Sequence, residues 1–278
     1  MTSNSPPILQ SDGQAIAGSV NCKTCNTPFD GAFCPSCGQK VLPGRFTLRM
    51  LFSQLIGMIT NIERGFWHTF WMLLVRPWVV IEDYLAQRTR PYYDPFRYLF
   101  IMTGIASVFI IGLGLFDYQM ENMNELMQLN QTAQQQAFQQ DTMTFIRKYF
   151  NIMSLLIIPF FTLGARLIFR SRRFNLAEFI IVFSFLYGEL QLISLVIQMA
   201  GFFVFHLKYN WIIISSMGVS IAYYAYALKP VFGYSYPGTV LRAVTAQLLG
   251  FIFFMVASLI LGLIIGLAMV FMGLKPGE

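Results

Sequence analysis

Residues 243–274 read AVTAQLLGFIFFMVASLILGLIIGLAMVFMGL, a stretch without a single charged side chain. A bilayer has a hydrocarbon core of about 30 Å, and a helix of about 20 apolar residues crosses it. At about 1.5 Å per residue this run is longer than the core, so a helix here must tilt or protrude. Four more apolar runs precede it, at about Arg97–Phe116, 149–169, Leu176–Ala200 and Trp211–Leu228. The expectation is an all-α, polytopic membrane protein with about five transmembrane helices, its membrane domain covering 97–274. The spans are dissimilar, and no internal repeat emerges from them.

Composition agrees. Hydrophobic residues make up 56% of the 278 and charged residues only 12%, where soluble domains carry roughly 25% charge. In a soluble chain the net charge of +6 would point to nucleic acid. In this one it reads as basic residues holding loops on the cytoplasmic side, so nucleic acid is not the expected partner. From Tyr98 to Ile146 there is no Lys or Arg, and residues 117–146 form a polar, glutamine-rich loop. RLIFRSRR at 166–173 follows the second span. Positive charge stays inside, so the chain runs N-inside, C-outside, with loop 117–146 outside. Residues 1–20 lack the basic and apolar regions of a secretory signal and read as a flexible tail in a reducing compartment.

All four cysteines lie in NCKTCNTPFDGAFCPSCGQK, residues 21–40, as two C-x2-C pairs. Cys22, Cys25, Cys34 and Cys37 can supply four thiolates at the corners of a tetrahedron, the arrangement of one closed structural Zn2+ site. Disulfides and a redox dithiol are the alternatives; a reducing compartment and the doubled motif argue against both. Asp30-Gly31 has the composition of a type I′ hairpin turn that would fold one pair onto the other. Gly38 suits the left-handed backbone that closes a knuckle, and Phe29 and Phe33 are candidates to cover the metal. Between ribbon and spans, 46–88 reads as amphipathic and interfacial helices. Thr47 is a candidate N-cap, and Leu48, Leu51, Leu55, Met58 and Ile62 recur at helical spacing. Trp67, Trp71 and Trp78 suit the headgroup level. Arg76-Pro77 reads as a helix break with a snorkelling arginine.

CKTCNTPFDGAFCPSCGQK, GRFTLRMLF and LLVRPWVVIEDYLAQRTRPYYDPFRYLF together resemble bacterial integral membrane proteins grouped as domain of unknown function 3667. Those pair a C-x2-C…C-P-x-C-G-Q-K ribbon with an RP…Y…R…Y.(N/D)PF segment ahead of the first span. The likeness covers about residues 21–100. It implies a zinc-ribbon head and a multi-pass location in the bacterial inner membrane, and it implies no activity. The five-span, N-inside layout is also similar to Yip-type membrane scaffolds, in architecture alone.

No metalloprotease, nucleophile-elbow, P-loop or dinucleotide motif occurs. His68 and His206 have no carboxylate partner nearby in sequence and read as interfacial residues. Arg88, Arg90, Tyr92, Tyr93 and Arg97 form a candidate site for anionic lipid headgroups, with a positive-inside anchor as the alternative. Glu189 is the one carboxylate deep in a span. Depth counting places Ser215 and Ser216 beside it and leaves Arg166 too shallow. Ser258, Gly262 and Gly266 form a small-residue row, for packing within the chain or for a homodimer seam. The function expected is a non-enzymatic membrane scaffold or adaptor whose ribbon binds a protein partner. A lipid or small-solute transporter is the alternative, and an intramembrane enzyme a remote one.

Overall fold

A computed structural model describes residues 20–42, 44–48, 50, 65–127, 142–169 and 174–271. The polar tail, most of the 46–64 helix, the middle of the 117–146 loop and Arg170–Arg173 lie outside the described residues. The chain divides into two compact units, Met1–Asp94 and Pro95–Glu278.

The first unit begins with two short strands, β1 (Val20–Asn21) and β2 (Pro28–Phe29), paired antiparallel. Thr47 accepts a hydrogen bond from the Met50 N–H, as an N-cap does. Helix α1 (Phe66–Val75) ends at Arg76, and α2 (Pro77–Leu85) restarts at once with proline in its first turn, where no N–H is needed. Val80, Ile81 and Tyr84 are the buried face of α2, and Tyr84 stacks on Phe46 at 5.6 Å. Burial and the Asp94 charge hold the Tyr84 phenol well above its usual range.

The described residues of the second unit form the helices α3 (Pro95–Gly112), α4 (Leu115–Met127), α5 (Phe150–Leu156), α6 (Ile158–Phe169), α7 (Leu176–Met199), α8 (Tyr209–Phe232) and α9 (Tyr236–Phe271). Five stretches among the described residues are long and apolar enough to cross a membrane: Pro95–Gly112, Phe150–Phe169, Leu176–Val204, Tyr209–Phe232 and Tyr236–Ile264. α7 opens on a capping box, Asn175 with Glu178, and ends in a π-helical turn at Ala200–Val204.

Two departures from the sequence reading have clear causes. The last helix starts at Tyr236, ahead of Ala243, because Pro237 suits a first turn. Arg242 therefore falls inside it, its guanidinium 3.9 Å from the centre of the Tyr234 ring. Part of the 117–146 segment is helix α4, held by Gln119 donating to Gln198 at 2.7 Å and by Arg147 paired with Asp117 at 3.1 Å.

Helices α3 and α7 pack together, as do α6 and α9. Gly164 and Gly250 set the second seam: a Cβ on Gly164 would lie 2.6 Å from the Ala246 carbonyl oxygen, and one on Gly250 would lie 2.8 Å from the Phe161 Cα. Without a hydrophobic drive between helices in lipid, such close backbone approach is what gains packing energy.

Candidate metal centre and buried polar sites

The two cysteine pairs fold as equivalent knuckles. In the first, the Cys22 N–H donates to the Thr27 carbonyl at 3.0 Å and the Asn26 N–H to the Cys22 carbonyl at 2.9 Å. In the second, Cys34 donates to Gln39 at 2.9 Å and Gly38 to Cys34 at 2.8 Å. Each knuckle closes through one residue at positive φ, Asn26 at 59° and Gly38 at 73°. Asparagine and glycine are the residues that tolerate this backbone.

The first knuckle is itself the connection between β1 and β2, and here the Asp30-Gly31 expectation fails. Gly31 has φ of 118°, but Asp30 is not at positive φ, so no type I′ turn forms. Phe29 is buried against Cys22 and Cys34, whereas Phe33 is 60% exposed and lies outside that cluster.

The four Sγ atoms lie within 4.8 Å of one another. Cys22 and Cys37 are 3.4 Å apart, Cys25 and Cys34 3.6 Å. A tetrahedral thiolate site with bonds of about 2.3 Å has edges of about 3.8 Å, while a disulfide brings sulfurs to about 2.05 Å. All four cysteines are free, and the set can hold one metal ion. Thr27, through its hydroxyl and backbone, draws the Cys25 thiol down to about 6, while burial pushes Cys37 up to about 12. With every coordination position taken by protein sulfur, such a site leaves none for an activated water.

Gln39 fastens this ribbon to the segment after α2. Its buried side chain donates to the Lys40 carbonyl at 2.9 Å and to Thr89 Oγ1 at 3.0 Å. Its carbonyl oxygen accepts from Thr24 at 3.0 Å and from the Arg90 N–H at 2.9 Å. The Arg90 Nε donates to the Cys37 carbonyl at 2.7 Å. Sequence reading missed Gln39, although it sits in the C-G-Q-K signature.

The headgroup candidates make contacts within the protein, with Arg88 and Arg90 still exposed. Arg90 serves the second knuckle, and Arg88 pairs with Asp83 at 3.0 Å. Tyr92 and Tyr93 are buried: Tyr92 donates to Asp83 at 2.9 Å and stacks on His68, and the Tyr93 N–H donates to Thr69 at 2.7 Å. Burial and the Asp83 contact raise the Tyr92 phenol above its usual range. Arg97 opens α3 in the second unit and is half-buried.

Glu189 is 0% exposed on α7. It is hydrogen-bonded, but to Tyr98 of α3, whose hydroxyl donates to Oε2. Ser215 donates to the Ile212 carbonyl at 2.9 Å, and Ser216 Oγ is buried without a partner among the described residues. Arg166 instead reaches the Phe174 carbonyl, at 3.4 Å. The serine pairing fails because Gly188, next to Glu189, lets α3 come close. A Cβ there would lie 3.2 Å from the Tyr98 ring and 3.3 Å from the Leu99 Cα. Glu189 Oε1 has no partner among the described residues.

Ser258 and Gly262 are exposed, with nothing within 4 Å of where a Gly262 Cβ would stand. The Gly266 surroundings lie outside the described side chains. Packing within the chain uses an earlier small pair on α9, Ala246 and Gly250, because α6 meets the helix there.

Fold and site together define a multi-pass helical membrane protein with a four-cysteine, metal-competent head. The family described as "Protein of unknown function (DUF3667)" matches residues 63–106, a stretch running from just before α1 into α3. No curated protein and no solved structure matches the chain.

Proposed function

We propose that this chain is a non-enzymatic scaffold of the bacterial inner membrane. Its ribbon holds one structural zinc and binds a protein partner on the cytoplasmic side. The observation that carries the reading is a cavity of about 300 Å³ beside the metal site. Val20, Phe29, Val41 and Leu42 give it apolar walls, and Lys23 and Lys40 flank it. A closed four-thiolate site does no chemistry at the metal, but it holds a ribbon too small to stabilise itself by burial. An apolar groove with basic flanks suits a segment that offers an apolar side chain beside acidic ones.

The test is affinity purification in mild detergent of the intact chain, of Cys34→Ser and of a Val41→Asp/Lys40→Glu variant. The reading expects a protein that co-purifies with the intact chain, is lost from both variants, and rebinds as a purified component to the intact chain alone. Partners retained by all three forms would overturn it. The same preparations test a homodimer seam at Ser258 and Gly262, which Gly262→Ile would weaken on cross-linking.

Glu189 supports the second reading, a lipid or small-solute transporter, because a buried carboxyl with an unpartnered oxygen is the group a proton-coupled cycle needs. Proteoliposomes that acidify only with wild-type protein, and not with Glu189→Gln, would favour it.

A further inference from the structure

Helix α1 is apolar except for Thr69 on its buried face and the exposed His68. Phe66, Thr69 and Leu73 form its buried face. That face is fastened: Gly65 leaves only 3.1 Å between a Cβ and the Tyr92 backbone, Thr69 binds the Tyr93 N–H, and Phe66 meets the Tyr93 ring edge-on at 5.6 Å. The opposite face carries Trp67 at 76% exposure, Trp71 at 62%, and the exposed Leu74 and Val75. Trp67 and Trp71 stand one helical turn apart, so both indoles point the same way. Arg76, at the end of this face, is exposed and in no ion pair among the described residues.

We infer that this uncovered face of α1 lies in the membrane interface, with Trp67 and Trp71 at the boundary of headgroups and acyl chains and Arg76 on lipid phosphates. Three observations select lipid over a protein partner. At 10 residues, or about 15 Å, α1 is too short to cross a bilayer, yet apart from His68 its exposed side chains are apolar. Indole is the side chain that favours the headgroup boundary, since its body is apolar and its N–H remains a donor. The chain also passes from the end of α2 at Leu85 into the first apolar span at Pro95. That tether, at about 3.5 Å per residue, keeps the end of α2 within roughly 35 Å of the span and so within reach of the bilayer. Arg76 supplies a cation where phosphates lie, its stem over apolar surface.

The experiment uses the full chain in vesicles of phosphatidylcholine and phosphatidylglycerol, carrying Trp78→Phe and Trp211→Phe so that only Trp67 and Trp71 emit. Thermal melting first confirms that this variant folds as wild type does. The expected result is blue-shifted emission, resistant to iodide and quenched most by lipid brominated near the glycerol end of the acyl chain. Water-like emission quenched by iodide would overturn the inference. Iodide protection without bromolipid quenching would mean that protein, such as a second copy, covers the face, and overturns it equally. Stronger quenching near the terminal methyl would place α1 in the bilayer interior, also against it. Arg76→Glu in the same background should weaken quenching in anionic vesicles; unchanged quenching would remove the phosphate contact.

Discussion

Gln39 shows how much one side chain can join. It bridges the second knuckle, Thr24 of the first and the Thr89–Arg90 backbone. Gln39→Ala should leave one metal per chain by elemental analysis but cost roughly 1–3 kcal/mol of ribbon stability, the usual cost of orphaning buried polar groups. The measurement is faster labelling of Cys22 and Cys34, both buried, by a thiol reagent. Cys34→Ser should abolish the metal altogether. Binding requires thiolates, so it releases protons, and affinity must fall as pH falls. Metal retention followed across a pH series with a competing chelator should show loss on the acid side.

The buried pair in the second unit obeys the same rule. Tyr98→Phe leaves neither oxygen of Glu189 partnered among the described residues, and Glu189→Leu removes the carboxylate that accepts from the Tyr98 hydroxyl. Each should lower stability by roughly 1–3 kcal/mol, read as thermal melting in detergent, while Glu189→Gln, which still offers an acceptor, should melt close to wild type.

Between helices, glycine decides. The α6–α9 seam admits no side chain at Gly164 or Gly250, since the nearest atoms are backbone and cannot swing away. Gly164→Leu should therefore cost at least the roughly 1–3 kcal/mol of ordinary overpacking. Gly262 on the same α9 meets nothing within 4 Å. Gly262→Ala should be neutral, or stabilise by up to about 1 kcal/mol through helix propensity. Parallel melting curves check the contrast; equal effects at both positions would sink this account of the seam. Ser258-xxx-Gly262-xxx-Gly266 and Ala246-xxx-Gly250 have the same spacing, and the seam within the chain uses the second. Nothing local says which row meets another helix.

Orientation belongs to the assembled protein in its bilayer. The stretch from Tyr98 to Ile146 has no basic residue, and arginines crowd 166–173. A reporter fused after Gln135 should read outside and one after Arg173 inside. The opposite pattern would invert every span.

The membrane class, the five apolar runs, the helix break at Arg76-Pro77 and the cluster of Cys22, Cys25, Cys34 and Cys37 were all legible in the chain itself. Each is a local signal: a run too long and apolar for water, a proline without an N–H, a ligand spacing. Tertiary structure alone decided that Tyr98 meets Glu189, that Gln39 and Arg90 clasp the ribbon, that Tyr92 and Tyr93 are shut away, and that Gly164 faces Gly250. Those contacts join residues tens of positions apart. Their partners are chosen by which segments come close, and for Tyr98 with Glu189 and for the α6–α9 seam the bare glycines at 164, 188 and 250 set that closeness.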